Sequence, residues 1–427
     1  MKRNFAVLLG ASLAAAVPAH AQVPLTPRAL GTAGAYLGVA RGHESVYLNP
    51  ANLGLPGRPL WSVGLPNVAV GSTVLGPEVG DLSDFFNYDD LDESRKQELL
   101  AEIPAGGTAL EADLRAPLLT LQVGGLGLGV AYALAGEHTV GRDLVDLFFN
   151  GYDPNRFDYR VGNTAGTRAS FWDFAAGYGR SVGPVSVGAT AHYYLGRSLV
   201  QTRGFEPRYN PLLRDIEVDY VGVRSEGGSG FGVDVGVAAE PVPGLTVSAA
   251  IANALHSMSW DEELVGRRLT LNRADFEAQE FQGIRDAYEN SDQELGSTPT
   301  GQFATVAEGL FENAELPTTL RLGAAWAFPS RTTVTGAFNS NLSDGRLAGR
   351  WEKLVGVGVQ QGLPFATLRA GYSTDMDAGS LLSGGVTLGP LDLGIARFDN
   401  GEVDGASRNG WVASFGLSVR DMGFRRR

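Results

Sequence analysis

The chain contains no cysteine among its 427 residues. That excludes a disulfide framework and a lipid-modified N-terminal cysteine. Histidine is scarce: beyond residue 21 there are only His43, His138, His192 and His256. No pair of them has metal-site spacing, and no Glu sits among them as in a zinc-protease helix. A Gly-x-Ser-x-Gly elbow is also missing, so no triad can be nominated by position. Neither a metal nor a cofactor is expected, and the chain does not read as an enzyme. After residue 21 no run approaches the roughly 20 apolar residues that a membrane helix needs. Basic residues are outnumbered, 34 against 47 acidic, and the net charge of -13 argues against nucleic acid as a partner.

What is present is alternation. Within Pro317 to Arg420, every second residue is apolar in Leu320, Leu322, Ala324, Trp326 and Phe328, which describes a strand with one oily face and one polar face. The pattern returns in Val334 to Phe338, Val355 to Val359, Leu368 to Tyr372, Leu382 to Leu388, Leu391 to Ile395 and Trp411 to Val419. The links also alternate. Pro329-Ser330-Arg331, Gly362-Leu363-Pro364 and Gly389-Pro390 are tight, whereas 341–349, 374–380 and 399–410 are longer and polar. Short turns at one end and long loops at the other describe an all-β, transmembrane antiparallel β-barrel of the outer-membrane kind. A soluble sandwich would share the alternation but not this many consecutive hairpins. The 58 glycines suit closely packed, twisted strands, and a mean hydropathy near zero is compatible with spanning strands of which only half the residues are apolar.

The export signal agrees. Lys2 and Arg3 precede an apolar centre from Phe5 to Val17, and Ala19-His20-Ala21 stands before Gln22. Residues 1–21 therefore read as a cleaved secretory signal. The expected location is the cell outer membrane, with outer-membrane lipids and the barrel-assembly machinery as partners.

Next comes Arg28-Ala29-Leu30-Gly31-Thr32-Ala33-Gly34-Ala35-Tyr36, and then Asn49-Pro50-Ala51-Asn52-Leu53. Together with the signal, these segments resemble the N-terminus of the outer-membrane long-chain fatty-acid and hydrocarbon transporter superfamily, which also includes barrels serving secretion systems. The resemblance implies a 14-stranded barrel with an N-terminal plug inside the lumen, formed here by residues 22–58, with Asn49, Pro50 and Ala51 in it. The barrel then takes residues 59–421, followed by a basic tail at 422–427.

Four large excursions are expected, at 69–113, 137–168, 197–229 and 256–316. The first is acidic, with Asp81, Asp84, Asp89, Asp90, Asp92 and Glu93 at a spacing that matches no calcium loop, and it reads as a solvated surface. A short helix within Leu82 to Ile103 would anchor through Leu99 and Leu100. The second carries Phe148 and Phe149, which either line an entry for an apolar ligand or, the favoured reading, belong to a short helix packed on neighbouring loops. The third contains Ile216 to Val223. Counting that run as a wall strand would place the turn at Glu240 to Gly244 on the long-loop end, so 197–229 is taken as one excursion with its own small hairpin. This count gives 14 strands. The fourth has Phe276, Phe281, Ile284 and Tyr288 on helical spacing, enough to cap the mouth or touch a ligand.

Trp326, Phe328, Phe338, Val355, Val357, Tyr372, Phe415 and Leu417 would face lipid. Arg321, Thr335, Asn339, Gln360, Arg369 and Arg420 would face the interior, as would His192, which shares parity with Ser186 and Thr190. The expected function is passive outer-membrane transport of small hydrophobic compounds such as long-chain fatty acids or hydrocarbons. Two other classes stay open: a non-transporting, secretion-associated or surface barrel that binds protein partners, and a general porin.

Overall fold

The computed structural model describes residues 26–75, 91–278, 281–311, 314, 316–343, 353–375, 379–403 and 406–421. The export segment, Asp81 to Asp90, the C-terminal tail and the side chain of Phe281 lie outside the described residues.

Nineteen strands form one sheet. In chain order they are β1 (Trp61–Gly64), β2 (Val68–Leu75), β3 (Thr108–Val123), β4 (Leu126–Val140), β5 (Ala165–Val182), β6 (Val185–Gly204), β7 (Arg208–Asn210), β8 (Asp215–Ser225), β9 (Gly228–Val242) and β10 (Leu245–Trp260). They continue with β11 (Leu264–Asn272), β12 (Gln293–Gly296), β13 (Thr319–Ala327), β14 (Thr332–Asn341), β15 (Lys353–Gly362), β16 (Ala366–Asp375), β17 (Gly379–Leu388), β18 (Leu391–Val403) and β19 (Ala406–Arg420). β1 and β2 are two pieces of one wall strand, and both pair with β3 on one side and β19 on the other, which closes the sheet on itself. β7, β8, β11 and β12 do not continue the wall: β8 pairs with the upper part of β6, and β11 pairs with β8. What remains is a 14-stranded antiparallel β-barrel.

Tight turns join the wall strands at one end. Gly124, Gly183, Gly244 and Gly389 take positive φ there, as two-residue hairpins require. At the other end the strands outrun the expectation. The first wall strand continues to Leu75 instead of ending near Val68, because Gly71-Ser72-Thr73 reads as a loop yet is paired to β19. Likewise β18 and β19 run through most of 399–410, a polar hairpin where a long loop was expected.

The first wall strand is also broken. Leu65-Pro66-Asn67 separates β1 from β2, and the register against β19 slips by one residue across it, from Gly64↔Ser418 to Val68↔Phe415. Toward β3, pairing holds at 61–64 and resumes at Thr73↔Glu111. Between them Asn67 N donates to Pro117 O at 2.9 Å. Pro66 and Pro117 have no N–H to offer, so the sequence itself withholds ladder bonds at this place.

The excursions fold together. Helices at Glu93–Glu102, Arg142–Asn150, Arg273–Ala278 and Phe281–Glu289 surround a cluster that includes Leu99, Leu147, Phe148, Ile216, Leu271 and Phe276. The long-loop end on this side of the barrel thus carries a core of its own.

Candidate functional site

The segment from Thr26 to Leu55 is buried along nearly its whole length and packs against the wall strands. Its local structure follows from its caps. Thr26 accepts from Ala29 N and Pro27 fills the first turn of α1 (Pro27–Leu30); Ala33 and Gly34, both at positive φ, then reverse the chain. A second short helix, α2 (Ser45–Leu48), ends at Asn49, whose Oδ1 accepts from Ala51 N at 3.0 Å to start the 3-10 turn Pro50–Leu53.

The wall is built to receive this segment. A Cβ on Gly371 or Gly358 would strike Thr32, one on Gly188 would strike the Pro50 backbone, and one on Gly236 would strike the Asn49 carboxamide. These glycines fall on the inward parity of their strands, which accounts for part of the glycine excess. Asn49 also donates through Nδ2 to Val237 O and Ala249 O, both at 3.3 Å, so Asn49, Pro50 and Ala51 sit together against β6, β9 and β10.

Polar contacts then fix the segment around the barrel. The Arg28 guanidinium reaches Asp392 at 2.9 Å, Glu44 at 3.2 Å and Ser418 at 2.5 Å, all buried. Tyr36 donates to Glu44 at 3.0 Å, and Arg369 donates to Thr387, which in turn bonds Asp392. Elsewhere Ser62 accepts from His43 N, Thr190 donates to Val46 O, Ser186 donates to Ala51 O, and Arg321 donates to Tyr47 O at 2.8 Å. Arg321, Arg369, Thr335 and Gln360 face inward as expected, whereas Arg420 is exposed.

Two different surfaces adjoin the segment on the long-loop side. Against β5, β6 and β9 the lining is polar: His192 Nδ1 lies 2.8 Å from Asp173 and Nε2 lies 3.4 Å from Asp234, with Tyr194 stacked on the imidazole. Against β15 to β19 it is apolar. Leu354, Leu381, Ala396, Phe398 and Val412 form one buried cluster with Leu30 and Ala33 of the inner segment and with Ala69 of β2. Ala69 lies two residues beyond the break at Asn67. Among the described residues, no three His, Asp or Glu side chains converge as a metal site.

Phe148 and Phe276 meet edge to face at 5.2 Å in the core of the loop assembly, and Phe149 is buried in the same cluster. Sequence reasoning missed Asp219, which is buried on β8 and bonded by Arg208, Arg268, Thr270 and Gln302. It also missed the lumen apolar patch. Its inward parity could have been read from Leu354, Leu381 and Phe398, but outward residues dominate those strands.

A model for a family of unknown function, DUF5723, matches residues 198–395. No curated protein matches the sequence. Among solved structures, the Ralstonia pickettii toluene transporter TbuX is 14% identical with a TM-score of 0.55, covering 93% of this chain and 99% of its own. The P. putida toluene transporter TodX is 12% identical with a TM-score of 0.53, covering 94% and 99%. The CymD monoaromatic hydrocarbon channel is 15% identical with a TM-score of 0.53 and the same coverage. At such identities it is the architecture that is shared: the chain has the barrel fold of these toluene transporters and this monoaromatic hydrocarbon channel.

Proposed function

We propose that this barrel spans the outer membrane and lets small apolar compounds, such as hydrocarbons or long-chain fatty acids, cross passively, with residues 22–58 as the plug that denies water an open pore. The observation that carries the reading is the apolar lumen patch of Leu354, Leu381, Phe398 and Val412, resting on Leu30 and Ala33 and ending at Ala69 beside the broken strand. Such a patch offers an apolar solute a place with few polar competitors. The ladder interrupted at Pro66 and Pro117 supports an exit through the wall toward lipid.

The outer face supports the membrane location. Leu128, Phe174, Val187, Val235, Val247, Val334, Val357, Tyr372, Leu382, Ile395 and Phe415 are exposed and stand on the outward parity of the wall. Soluble monomers rarely expose contiguous apolar patches beyond roughly 300–600 Å², so apolar residues exposed on strand after strand favour contact with lipid. Trp61, Tyr178, Trp326 and Phe328 lie near the tight turns, and Tyr193, Phe231 and Trp411 lie nearer the loops, in the manner of two aromatic girdles.

The test is uptake of an alkane and of a fatty acid by liposomes carrying the purified protein, compared with Phe398→Glu. The wild type should speed uptake and the variant should lower it about tenfold, consistent with the transfer cost of a charge. Uptake equal to protein-free liposomes would abandon transport in favour of a surface or secretion-associated barrel, and steady ion conductance would favour a porin.

A further inference from the structure

β10 contains the largest irregularity of the wall. Its register against β9 jumps from Ile251↔Val235 to Leu255↔Val233, so residues 252–254 stand opposite Asp234 alone. At the centre Asn253 takes φ 52, the left-handed conformation that asparagine tolerates best after glycine.

The surroundings here are partners on different parts of the chain, among them His256, whose Nδ1 lies 3.0 Å from the Asn253 carbonyl. Asn253 N donates to Asp234 at 2.7 Å, its Oδ1 accepts from Tyr194 OH at 2.7 Å, its Nδ2 donates to Pro317 O at 3.0 Å, and its carbonyl accepts from Thr318 Oγ1 at 3.0 Å. Gly232 leaves the room: a Cβ there would lie 2.6 Å from Tyr194 OH and 2.9 Å from Asn253 Oδ1. Through Asp234 the chain of contacts passes to His192 and Asp173, whose carbonyl accepts from Tyr47 OH of the inner segment at 3.3 Å. On the other side, Tyr194 belongs to the buried cluster that includes Phe171, Val306, Leu310 and Leu316 from the chain leading up to Pro317.

We propose that Asn253 is a positioning residue that closes the lumen on the side of β5, β6, β9 and β10: it fastens the end of the loop assembly at Pro317 and Thr318 to the polar layer that abuts Tyr47. The irregularity of β10 exists to aim this one carboxamide, which no regular strand position could direct at Tyr194 and Pro317 together. The closure is independent of what the barrel carries.

A cysteine-free chain permits a direct test. Ser45 of the inner segment is wholly buried and its hydroxyl has no hydrogen-bond partner among the described residues, so Ser45→Cys removes none of their bonds and supplies a single thiol. Asn253→Gly retains the left-handed backbone while deleting the carboxamide, and Tyr194→Phe deletes only the hydroxyl. In the Ser45→Cys background each should raise the rate of labelling by a small methanethiosulfonate about tenfold, the effect of losing a hydrogen bond of roughly 1–1.5 kcal/mol. The double variant should react no faster than Asn253→Gly alone, because the bond that Tyr194→Phe deletes is one of the two lost with the carboxamide. Heat-modifiable migration on gels reports that each variant is folded. A folded Asn253→Gly whose thiol reacts at the parental rate overturns the proposal, as does multiplicative behaviour of the pair. Uptake assays do not enter this readout, so it can fail or succeed separately from the transport reading.

Discussion

Arg28 and Asp392 stand 364 residues apart in sequence and meet in the lumen, guanidinium Nε to carboxylate at 2.9 Å. The same guanidinium holds Glu44 and Ser418, so a single cation ties two turns of the inner segment to β18 and β19. Removing one partner of a buried charge set leaves the others uncompensated, at a cost of about 3–5 kcal/mol. Arg28→Met should therefore lower the unfolding free energy obtained from urea titration of the detergent-solubilised barrel by that amount. Arg28→Lys should recover only part of it, since one ammonium cannot reproduce the planar fork. A loss below about 1 kcal/mol for Arg28→Met would show that the network is not holding the segment.

Gly371→Ala makes a sharper demand on the same segment. A Cβ there collides with the Thr32 main chain, although in a strand interior alanine is ordinarily better than glycine by about 0.5–1 kcal/mol. The barrel should still assemble, with the Thr26–Leu55 segment displaced and, where it acts as the proposed plug, ion conductance in planar bilayers raised. Deleting residues 22–58 should give the same conductance, and adding Gly371→Ala to that deletion should change nothing more. A Gly371→Ala barrel as tight as wild type would mean that the segment does not occupy the lumen at Thr32.

The legible parts of this molecule are those where neighbours in sequence are neighbours in space. Alternation in Leu320 to Phe328 marks β13 because each side chain reports its own face. Leu99 and Leu100, an apolar pair in a charged run, mark the anchor of the helix Glu93–Glu102, and both are buried in the loop core. Strand ends were misjudged wherever Gly, Ser and Asn sit in the wall, as at Gly71 to Thr73 and Asn409 to Gly410, since these residues signal loops by propensity and are overruled by pairing. The lumen was harder to read. Arg28 looks like an ordinary charged residue until β18 brings Asp392 to it, and nothing near Asn253 announces that Tyr194 and Pro317 will converge there. Burial of Phe148 against Phe276 joins two excursions separated by more than a hundred residues, a pairing that no local pattern encodes.

That contact sets the third prediction. Phe276 is fully buried in the loop assembly, and truncating such a ring costs about 3–5 kcal/mol through lost burial and the cavity left behind. Because this core is built mainly from the excursions, Phe276→Ala should expose the loops to trypsin, at Arg142, Arg156 and Arg160 among other sites, while the barrel keeps its heat-modifiable migration. Cleavage at the wild-type rate would place the stability of the assembly elsewhere.

The last prediction concerns acid. Asp219 lies on β8, in the part of the sheet that stands apart from the 14-stranded wall. Burial alone would raise its pKa, but hydrogen bonds from Arg208, Thr270, Gln302 and Arg268 outweigh burial and hold the carboxyl well below the usual range. A carboxylate with a depressed folded pKa contributes stability that is fully present above the unfolded value of about 3.9 and is lost as pH falls through the folded one. Amide exchange in β8 and β11, corrected for intrinsic rates, should thus be slow at pH 7 in the wild type and accelerate progressively below about pH 4. In Asp219→Asn, which leaves Arg208 and Arg268 without their shared anion, exchange should already be faster at pH 7 and should depend less on acid. The gap between the two proteins must then narrow as pH falls, because protonation removes from the wild type what the substitution has removed from the variant. A gap that stays constant from pH 7 down to about pH 2 would show that Asp219 acts through shape and not through its charge.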